Sequence, residues 1–289
     1  MNALERTVRS LKGGLRLSSN SRFVARLRPA YDSLLHLCYG RRGLVRVLNG
    51  QEPIRIRPAH RYAAEHYEPA VFDYLKTKVQ PGDLVLDVGA HVGIFTVLLA
   101  RWSGPSGHVF AFEPTPVTRA ALTDHLHLNG VDDRVTVCPL AVSDNEGKSF
   151  VYTVSNSPEN TLSPVHGRLT NASAIAIEMT TIDAFCARRQ ICPDLIKIDI
   201  EGFELHALRG AKRTLTKHRP VVVVELHPMN WPEIGVDRRQ VAELLKELRY
   251  QLTPLDGQTD PLAEYGHVVL QPATGANTPP AHPIDHEHQ

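Results

Sequence analysis

Glycines and acidic side chains stand at the ends of several predicted strands, where they could bind a ligand. The sharpest group is Asp87-Val-Gly-Ala-His-Val-Gly93, which follows the predicted strand Leu84 to Val88. Gly89 allows a tight turn and a close approach to a ligand, and Gly93 allows close packing where a helix begins. The N-terminus of that helix favours a carboxylate or a phosphate. The candidate ligand-binding residues here are Asp87, Gly89, Ala90, His91 and Gly93.

The next two strand ends carry polar residues as well. Glu113 lies 26 residues after Asp87, and its carboxylate can accept hydrogen bonds from both hydroxyls of an adenosine ribose. The alternative is a surface glutamate before a proline. After the third strand, either Ser143 or Asp144 could hydrogen-bond an adenine amino group, or the segment could be a plain turn.

The fourth and fifth strand ends are Lys197-Ile-Asp-Ile-Glu-Gly-Phe-Glu204 and Glu225-Leu-His-Pro228. Strand alternation puts Lys197, Asp199 and Glu201 on one side. A lysine between apolar neighbours needs a partner, and either Asp199 or Glu201 could be that partner. His227 could act as a general base, because imidazole titrates near neutral pH. Each residue alone is more often structural, but five acidic strand ends in a row are hard to explain by packing.

The hydrophobic pattern predicts the elements that position these residues. Strands are expected at about 84–88, 108–112, 134–139, 194–199 and 220–226, with two more within 250–270. Helices are expected near 93–101, 117–129, 203–216 and 237–249. Such alternation indicates an α/β fold with a mostly parallel sheet and helices on both faces. Between the third and fourth strands, residues 155–171 are predicted to be an irregular loop, either a lid or disordered.

Composition and charge divide the chain into three predicted parts. With 42% hydrophobic and 22% charged residues, the chain is typical of a globular protein, not of a disordered or coiled-coil one. Residues 1–61, a basic helical or extended segment, carry a net charge of +10, whereas the remaining residues carry −9. Residues 62–271 form the predicted catalytic domain, and 272–289 are predicted to be a disordered tail. The basic segment could steer an anionic substrate, contact a membrane surface or nucleic acid, or pack on the domain as a solvated helix. Its first 28 residues also have a transit-peptide composition.

The cysteines and the length of the apolar runs bear on where in the cell the protein is found. The four cysteines are scattered, which favours free thiols in a reducing compartment, and we predict a cytoplasmic protein. Apolar runs are far shorter than the ~18 residues of a membrane span.

The predicted α/β domain shows no dedicated metal-ligand cluster. The tail carries His282, Asp285, His286 and His288, but a flexible tail does not preorganise a metal site. Arg55 and Arg57 lie on one side of an extended segment, where they could bind an anionic or polyhydroxyl acceptor or form part of a structural cap.

Taken together, these motifs resemble the FkbM family of S-adenosylmethionine-dependent methyltransferases, a member of the Rossmann-like class I methyltransferases. The resemblance covers about residues 67–227. Asp-Val-Gly-Ala is shared by many methyltransferases, whereas Ile-Lys-Ile-Asp-Ile-Glu-Gly-Phe-Glu204 is much more specific. A common family version has Asn where this chain has His91. The matching pieces are Tyr67-Glu-Pro69, Pro81-Gly-Asp83, Val85 to Gly93, Phe112-Glu-Pro114, Ala141-Val-Ser-Asp144 with Gly147, Thr181-Ile-Asp183, Asp194 to Glu204 and Glu225-Leu-His227.

The resemblance implies O-methylation of a hydroxyl on a small molecule or a sugar, with S-adenosylmethionine as donor. It implies no nucleic-acid partner and leaves the oligomeric state open. A base near the acceptor would help a neutral alcohol to react, and the catalytic candidates, in no order, are His227, Asp199 and Glu201. The implied cofactor-binding residues are Asp87, Gly89, Ala90, His91, Gly93, Glu113, Ser143, Asp144 and Asp199.

Three other functions compete with this interpretation. The basic segment favours a nucleic-acid methyltransferase, but the Asn-Pro-Pro-aromatic signature is missing and only 6% of residues are aromatic, few for base stacking. A nicotinamide-dependent oxidoreductase could share the fold, but the chain lacks G-x-G-x-x-G, and His91 stands where that fingerprint has its second glycine. A binding module without chemistry is the third, although intact Asp87, Glu113 and Asp199 argue against it.

Overall fold

The computed structural model of this protein describes residues 22–61, 66–154, 160–161 and 172–273. Most of the predicted loop at 155–171, and residues 1–21 and 274–289, lie outside these ranges. The strands are β1 (Leu44–Leu48), β2 (Glu52–Ile56), β3 (Leu84–Val88), β4 (His108–Phe112), β5 (Val135–Cys138), β6 (Leu140–Val142), β7 (Gly147–Val154), β8 (Asn160–Thr161), β9 (Ala172–Thr180), β10 (Leu195–Ile198), β11 (Val221–Leu226), β12 (Tyr250–Pro254) and β13 (Gly266–Pro272). The α-helices are α1 (Arg22–Tyr39), α2 (Pro69–Lys78), α3 (Ile94–Trp102), α4 (Pro116–Asn129), α5 (Ile182–Arg189), α6 (Glu204–Arg209), α7 (Lys212–His218) and α8 (Arg238–Leu248).

A seven-stranded sheet in the order β12-β13-β11-β10-β3-β4-β5 forms the centre of the molecule. Strands β11, β10, β3, β4 and β5 are parallel, and β13 runs antiparallel to both β11 and β12. The predicted α/β class with a mostly parallel sheet is therefore confirmed. The chain winds outward from β3 to β4 and β5, then returns to β10 on the other side. Ligands of such sheets bind where the strand order reverses, here at the carboxyl ends of β3 and β10.

Two hydrophobic clusters cover the two faces of this sheet, which explains why its strands are almost continuously apolar. Leu86 and Ile196 belong to one cluster, together with helices α6 and α8. Val85 belongs to the other, together with Leu98 of α3. Burying each such aliphatic side chain contributes about 1.5–3 kcal/mol, so the strands that carry the site residues are firmly held.

A second sheet, β6-β9-β7-β8, was not predicted from the sequence. Strands β7 and β9 form an antiparallel pair in which Val151 and Ile177 are buried and Phe150 is exposed. These strands lie on either side of the polar stretch at 155–171, so in the sequence they resemble the edges of a loop. Helix α5 was missed too, although Thr181 is its N-cap and its hydroxyl accepts from the Ala184 backbone N–H at 3.0 Å.

The helix predicted over 203–216 is two helices, α6 and α7. The Asp183 carboxylate caps the second of them, because its oxygens accept from the backbone N–H groups of Arg213 at 2.9 Å and Thr214 at 2.7 Å. These donors would be unsatisfied at a new helix start without such a partner. A residue distant in sequence thus decides where the helix breaks.

Within the basic N-terminal segment, the described residues 22–61 pack against the domain. Leu44 and Ile56 of the β1–β2 hairpin belong to the same hydrophobic cluster as helix α3. Arg57 pairs with Asp124 of α4 at 2.9 Å, and Arg55 donates to the Arg42 carbonyl at 3.0 Å. Both arginines therefore make the contacts expected if this segment is a structural cap on the domain. Among the helices of the described ranges, none has the length and apolarity needed to cross a bilayer.

Candidate functional site

The loop between β3 and α3 is shaped by glycines in left-handed conformations. Gly89 has a φ of 83°, and a Cβ there would lie 1.8 Å from the backbone oxygen of Asp199. Gly93 also has a φ of 83° and caps α3, and its Cβ would meet the Leu122 side chain at 2.2 Å. His91 is left-handed too, with a φ of 50°, a conformation in which Asn and His are among the more tolerated residues. This backbone explains why the family commonly has Asn at that position.

Asp87 is buried at the carboxyl end of β3, with only 1% of its surface exposed. Its Oδ2 accepts from the Thr96 hydroxyl at 2.6 Å, whereas its Oδ1 is buried and has no hydrogen-bond partner among the described residues. Burial raises the pKa of Asp87, against the opposing effect of Lys197. An unsatisfied buried oxygen is costly, so this position suits a ligand that supplies a donor.

Glu113 is fixed at the end of β4 by two backbone donors. Its Oε2 accepts from the His91 N–H at 3.1 Å and its Oε1 from the Thr115 N–H at 2.8 Å. The Thr115 side chain is a third hydrogen-bond partner of this carboxylate. Its two oxygens offer about four acceptor sites, so the carboxylate can still accept a bond from a ligand. Burial raises the pKa of Glu113, and the bonds from Thr115 and His91 oppose that shift.

A cavity of about 330 Å³ joins the glycine loop to the carboxyl ends of β4, β10 and β11. Its walls bring together most of the residues singled out in the sequence, and they add several that the sequence analysis did not assign to the site. The predicted residues on its wall are Asp87, Gly89, Ala90, His91, Gly93, Glu113, Asp199 and Glu201. The additional polar residues are Tyr67, Glu68, Thr115, Lys197, Glu225 and Tyr265.

Ser143 and Asp144 do not line this cavity. The Ser143 backbone N–H donates to the Thr180 carbonyl at 3.0 Å, and Asp144 is exposed. The wall at this point is formed by the preceding apolar residues, Leu140 to Val142. An adenine ring would therefore meet an apolar surface here, and neither polar side chain is positioned to contact it.

Lys197 and Asp199 form a buried pair at the end of β10. The Lys197 Nζ lies 3.2 Å from the Asp199 Oδ2 and 5.2 Å from the centre of the Phe95 ring. Burial alone would lower the pKa of Lys197, but Asp199 and Asp87 more than offset it and raise the pKa. The pKa of Asp199 is lowered, because the attraction of Lys197 outweighs its own burial. Of the two partners left open by the sequence, Asp199 is the one that Lys197 contacts.

His227 is buried behind the cavity wall, and its contacts argue against a role as general base. Its Nδ1 lies 2.8 Å from Glu204 Oε1, and its Nε2 lies 3.3 Å from Glu201 Oε2. Burial would lower the pKa of His227, but the bond to Glu204 and the surrounding carboxylates raise it to about 9. Without a bound cation, both ring nitrogens face carboxylates that favour the protonated imidazole, so His227 is poorly suited to take a proton from an acceptor.

Glu225 is the acidic residue that most directly faces the cavity from β11. It is 8% exposed, and its Oε1 accepts a hydrogen bond from the Tyr265 hydroxyl. Burial and the nearby Asp199 carboxylate raise the pKa of Glu225. The sequence placed it inside a motif but gave no reason to prefer it, because Tyr265 is 40 residues away along the chain.

Glu68 completes the same wall from the segment before α2. It is a non-glycine residue with a φ of 39°, and its Oε2 lies 3.3 Å from the Nε2 of His267. Neither atom makes a hydrogen bond of acceptable geometry within the described structure. Left-handed backbone in a non-glycine residue is strained and often occurs at functional sites. In the sequence, Glu68 stood out only as part of the family-matching piece Tyr67-Glu-Pro69.

The sequence showed no dedicated metal-ligand cluster, but the structure brings together three side chains that could hold a cation. Asp199, Glu201 and His227 each offer one ligand atom, and these atoms lie within 4.8 Å of one another. Two carboxylates and an imidazole are chemically able to hold a divalent cation. The group lies at the end of the cavity opposite Glu113.

Comparisons with known proteins identify a family model and several similar proteins. The family model described as the methyltransferase FkbM domain matches residues 87–252. The hexuronic acid methyltransferase AglP of Haloferax volcanii is 28% identical over 200 residues, covering 67% of this chain and 74% of that protein. The 31-O-demethyl-FK506 methyltransferase FkbM of Streptomyces tacrolimicus is 29% identical over 181 residues, covering 53% and 68%. The crystal structure of the methyltransferase FkbM from Methylobacillus flagellatus KT aligns with a TM-score of 0.43 at 17% identity, covering 69% of this chain and 50% of that one.

Proposed function

Since the chain belongs to the FkbM methyltransferase family, as its motifs predicted, we propose that it transfers the methyl group of S-adenosylmethionine to a hydroxyl oxygen of a small molecule or a sugar. Family membership favours methyl transfer over the oxidoreductase alternative. The observation that carries the proposal is one continuous cavity. One end lies at Glu113, which could bind the ribose of a nucleoside, and the other, the acidic end, lies at Asp199 and Glu225. The names of the relatives, which include hexuronic acid and 31-O-demethyl-FK506 as substrates, support a hydroxylated acceptor.

The residues on the cavity wall fit S-adenosylmethionine. Glu113 lies on the cavity wall, and its carboxylate keeps acceptor capacity for ribose hydroxyls beyond its bonds to His91 and Thr115. Gly89 lines the same cavity, and its missing Cβ lets the loop pack against the Asp199 backbone. The unsatisfied Asp87 Oδ1 suits a donor such as the ammonium group of the methionine moiety. When bound, the cofactor supplies an electrophilic methyl group, and alignment with the acceptor oxygen accelerates the reaction.

At the acidic end, we assign the proton acceptor to Glu225 instead of the three candidates from the sequence. The Asp199 carboxylate is engaged by Lys197 at 3.2 Å, and Glu201 faces His227 at 3.3 Å. Glu225 lines the cavity, and the Tyr265 hydroxyl fixes one of its oxygens. With donor and acceptor bound, Glu225 would take the hydroxyl proton as the oxygen–methyl bond forms and the carbon–sulfur bond of the sulfonium breaks, which would release S-adenosylhomocysteine and leave a neutral methyl ether.

Replacing Glu113 by Gln is expected to weaken S-adenosylmethionine binding about 10- to 100-fold. The amide nitrogen of Gln cannot accept a bond from a ribose hydroxyl, and loss of a charge-assisted hydrogen bond costs about 1.5–3 kcal/mol. Calorimetric titration of both proteins with the donor measures the difference. The exposed Glu243 of α8 offers a control, because Glu243→Gln makes the same charge change away from the cavity. Equal affinities for wild type and Glu113→Gln would remove the ribose role.

The double variant Arg55→Ala, Arg57→Ala tests the role of the basic segment. It should lower the free energy of unfolding by about 1 kcal/mol, because it removes a partly exposed ion pair and hydrogen bonds to two backbone carbonyls. If these arginines only stabilise the cap, KM for the acceptor stays at its wild-type value. Urea denaturation and steady-state kinetics measure the two quantities, and a large rise in KM would instead make the arginines part of the acceptor site.

The acceptor is identified by a screen with methyl-labelled donor against neutral sugars, uronic acids, macrolide alcohols and RNA oligonucleotides. The proposal expects label in a hydroxylated small molecule, and the product should resist mild alkali, as a methyl ether does. Label released by mild alkali would mean a methyl ester, hence a carboxylate acceptor. Label in RNA alone would establish the nucleic-acid alternative.

A further inference from the structure

We infer that Asp199, Glu201 and His227 form a divalent-cation site at the acidic end of the cavity. Their ligand atoms lie within 4.8 Å of one another, and the group joins the ends of two neighbouring parallel strands, β10 and β11. The inference stands on the contacts of these side chains and does not depend on the methyl transfer proposed above.

The orientation of His227 is set from behind by Glu204. The Glu204 carboxylate is 1% exposed and accepts from His227 Nδ1 at 2.8 Å, from the Gly202 N–H at 2.7 Å and from Trp231 Nε1 at 2.9 Å. Because the Glu204 carboxylate accepts from all three groups, Nδ1 carries the hydrogen and Nε2 points at Glu201. A carboxylate behind the imidazole, fixing tautomer and ring direction, is the usual arrangement around a metal-bound histidine.

The backbone after β10 brings Glu201 next to that imidazole. Glu201 has a φ of 53° and Gly202 a φ of 111°, both in the left-handed region. Asn230 holds this turn from the β11 side, since its Nδ2 donates to the Glu201 carbonyl at 3.2 Å. A Cβ on Gly202 would lie 2.9 Å from the Cβ of Asn230, so the close approach needs glycine. The turn thereby places a third ligand between two strand ends.

Negative charge accumulates around His227. Carboxylate oxygens of Glu204, Glu201 and Glu225 lie 2.8, 3.3 and 3.9 Å from its ring nitrogens. Asp199 adds a further carboxylate, and Lys197 is the cation paired with it. Such a concentration of like charges is unfavourable in a partly buried place, and a divalent cation between Asp199 and Glu201 would offset it.

A ligand set of two carboxylate oxygens and one imidazole nitrogen favours some divalent cations over others. Mg²⁺ and Ca²⁺ prefer oxygen ligands alone, whereas Mn²⁺ accepts both oxygen and imidazole donors and leaves further positions for water or an acceptor hydroxyl. Mn²⁺ is therefore the probe of choice, with Mg²⁺ and Zn²⁺ as comparisons.

Titration of the full-length protein with Mn²⁺, followed by calorimetry and electron paramagnetic resonance, tests the site. We expect Glu201→Gln and His227→Ala each to weaken one Mn²⁺ site about tenfold or more. The spin-echo signal of an imidazole nitrogen bound to Mn²⁺ should be present in wild type and absent in His227→Ala. Glu201 is half-exposed, so Glu201→Gln should remain folded even if His227→Ala does not.

The matched control is Glu233→Gln, which removes an exposed carboxylate from the neighbouring turn and should leave Mn²⁺ affinity unchanged. Failure of the wild type to bind Mn²⁺ at millimolar concentration would overturn the inference. So would Mn²⁺ binding that persists unaltered in both Glu201→Gln and His227→Ala, because the ion would then be held elsewhere, for instance by the histidines after residue 281. Donor binding and methyl transfer are measured separately, so failure of the metal site and failure of the proposed reaction are distinguishable.

Discussion

Glu225→Gln should lower kcat about 10²- to 10⁴-fold while the affinity for S-adenosylmethionine stays near the wild-type value. The amide cannot take up the proton of the acceptor hydroxyl, and loss of a positioned base costs this much, about 2.7–5.5 kcal/mol in activation free energy. Gln keeps the size of Glu and can still accept from Tyr265. The loss should therefore fall on the chemical step and not on folding.

Single-turnover kinetics with saturating donor and acceptor separates this effect from binding. Glu225→Asp, which retains a carboxylate at a shifted position, should recover part of the rate. Unchanged turnover in Glu225→Gln would exclude Glu225 as base. It would also point to an acceptor that is already ionised, such as a carboxylate, in agreement with an alkali-labile product in the acceptor screen.

Gly89→Ala is expected to lower the free energy of unfolding by about 2–5 kcal/mol and to abolish measurable donor binding. The left-handed φ of 83° costs an alanine roughly 1–2 kcal/mol. In addition, the new methyl would lie 1.8 Å from the Asp199 backbone oxygen, and relieving such an overlap costs about 1–3 kcal/mol. The loop would have to move away from β10, where the donor pocket and the acidic end meet.

Gly130 provides the matched control for this substitution. It has a φ of 63° at the end of α4, and a Cβ there would meet nothing within 4 Å. Gly130→Ala should therefore show only the conformational cost and keep full donor binding. Urea denaturation and calorimetry on both variants give the comparison. Similar losses in the two proteins would mean that the contact between the loop and β10 is unimportant.

Much of the site could be predicted from local sequence, because its residues directly follow strands that are recognisable as runs of hydrophobic residues. Asp87, Gly89 and Glu113 stand directly after buried runs, and parallel strands bring their carboxyl ends to one edge of the sheet. The same reasoning put Lys197 on one side with Asp199 and Glu201, and the structure shows that Asp199 is its ion-pair partner. By contrast, Ser143 and Asp144 also follow a strand but do not line the cavity, because strand β6 turns away into the second sheet.

What the sequence by itself determined is the alternation of strands and helices, the glycine loop and the family, since each depends on residues within a few positions of one another. Only the tertiary structure decided the roles at the acidic end. His227 was chosen because imidazole titrates near neutral pH. Burial would lower its pKa, but the hydrogen bond to Glu204, 23 residues away, and the nearby carboxylates raise it to about 9. Glu225 gained its importance from Tyr265, across the antiparallel strand pair β11–β13. Charges and hydrogen bonds act through space, so the protonation and orientation of a side chain are fixed by neighbours that the order of residues does not reveal.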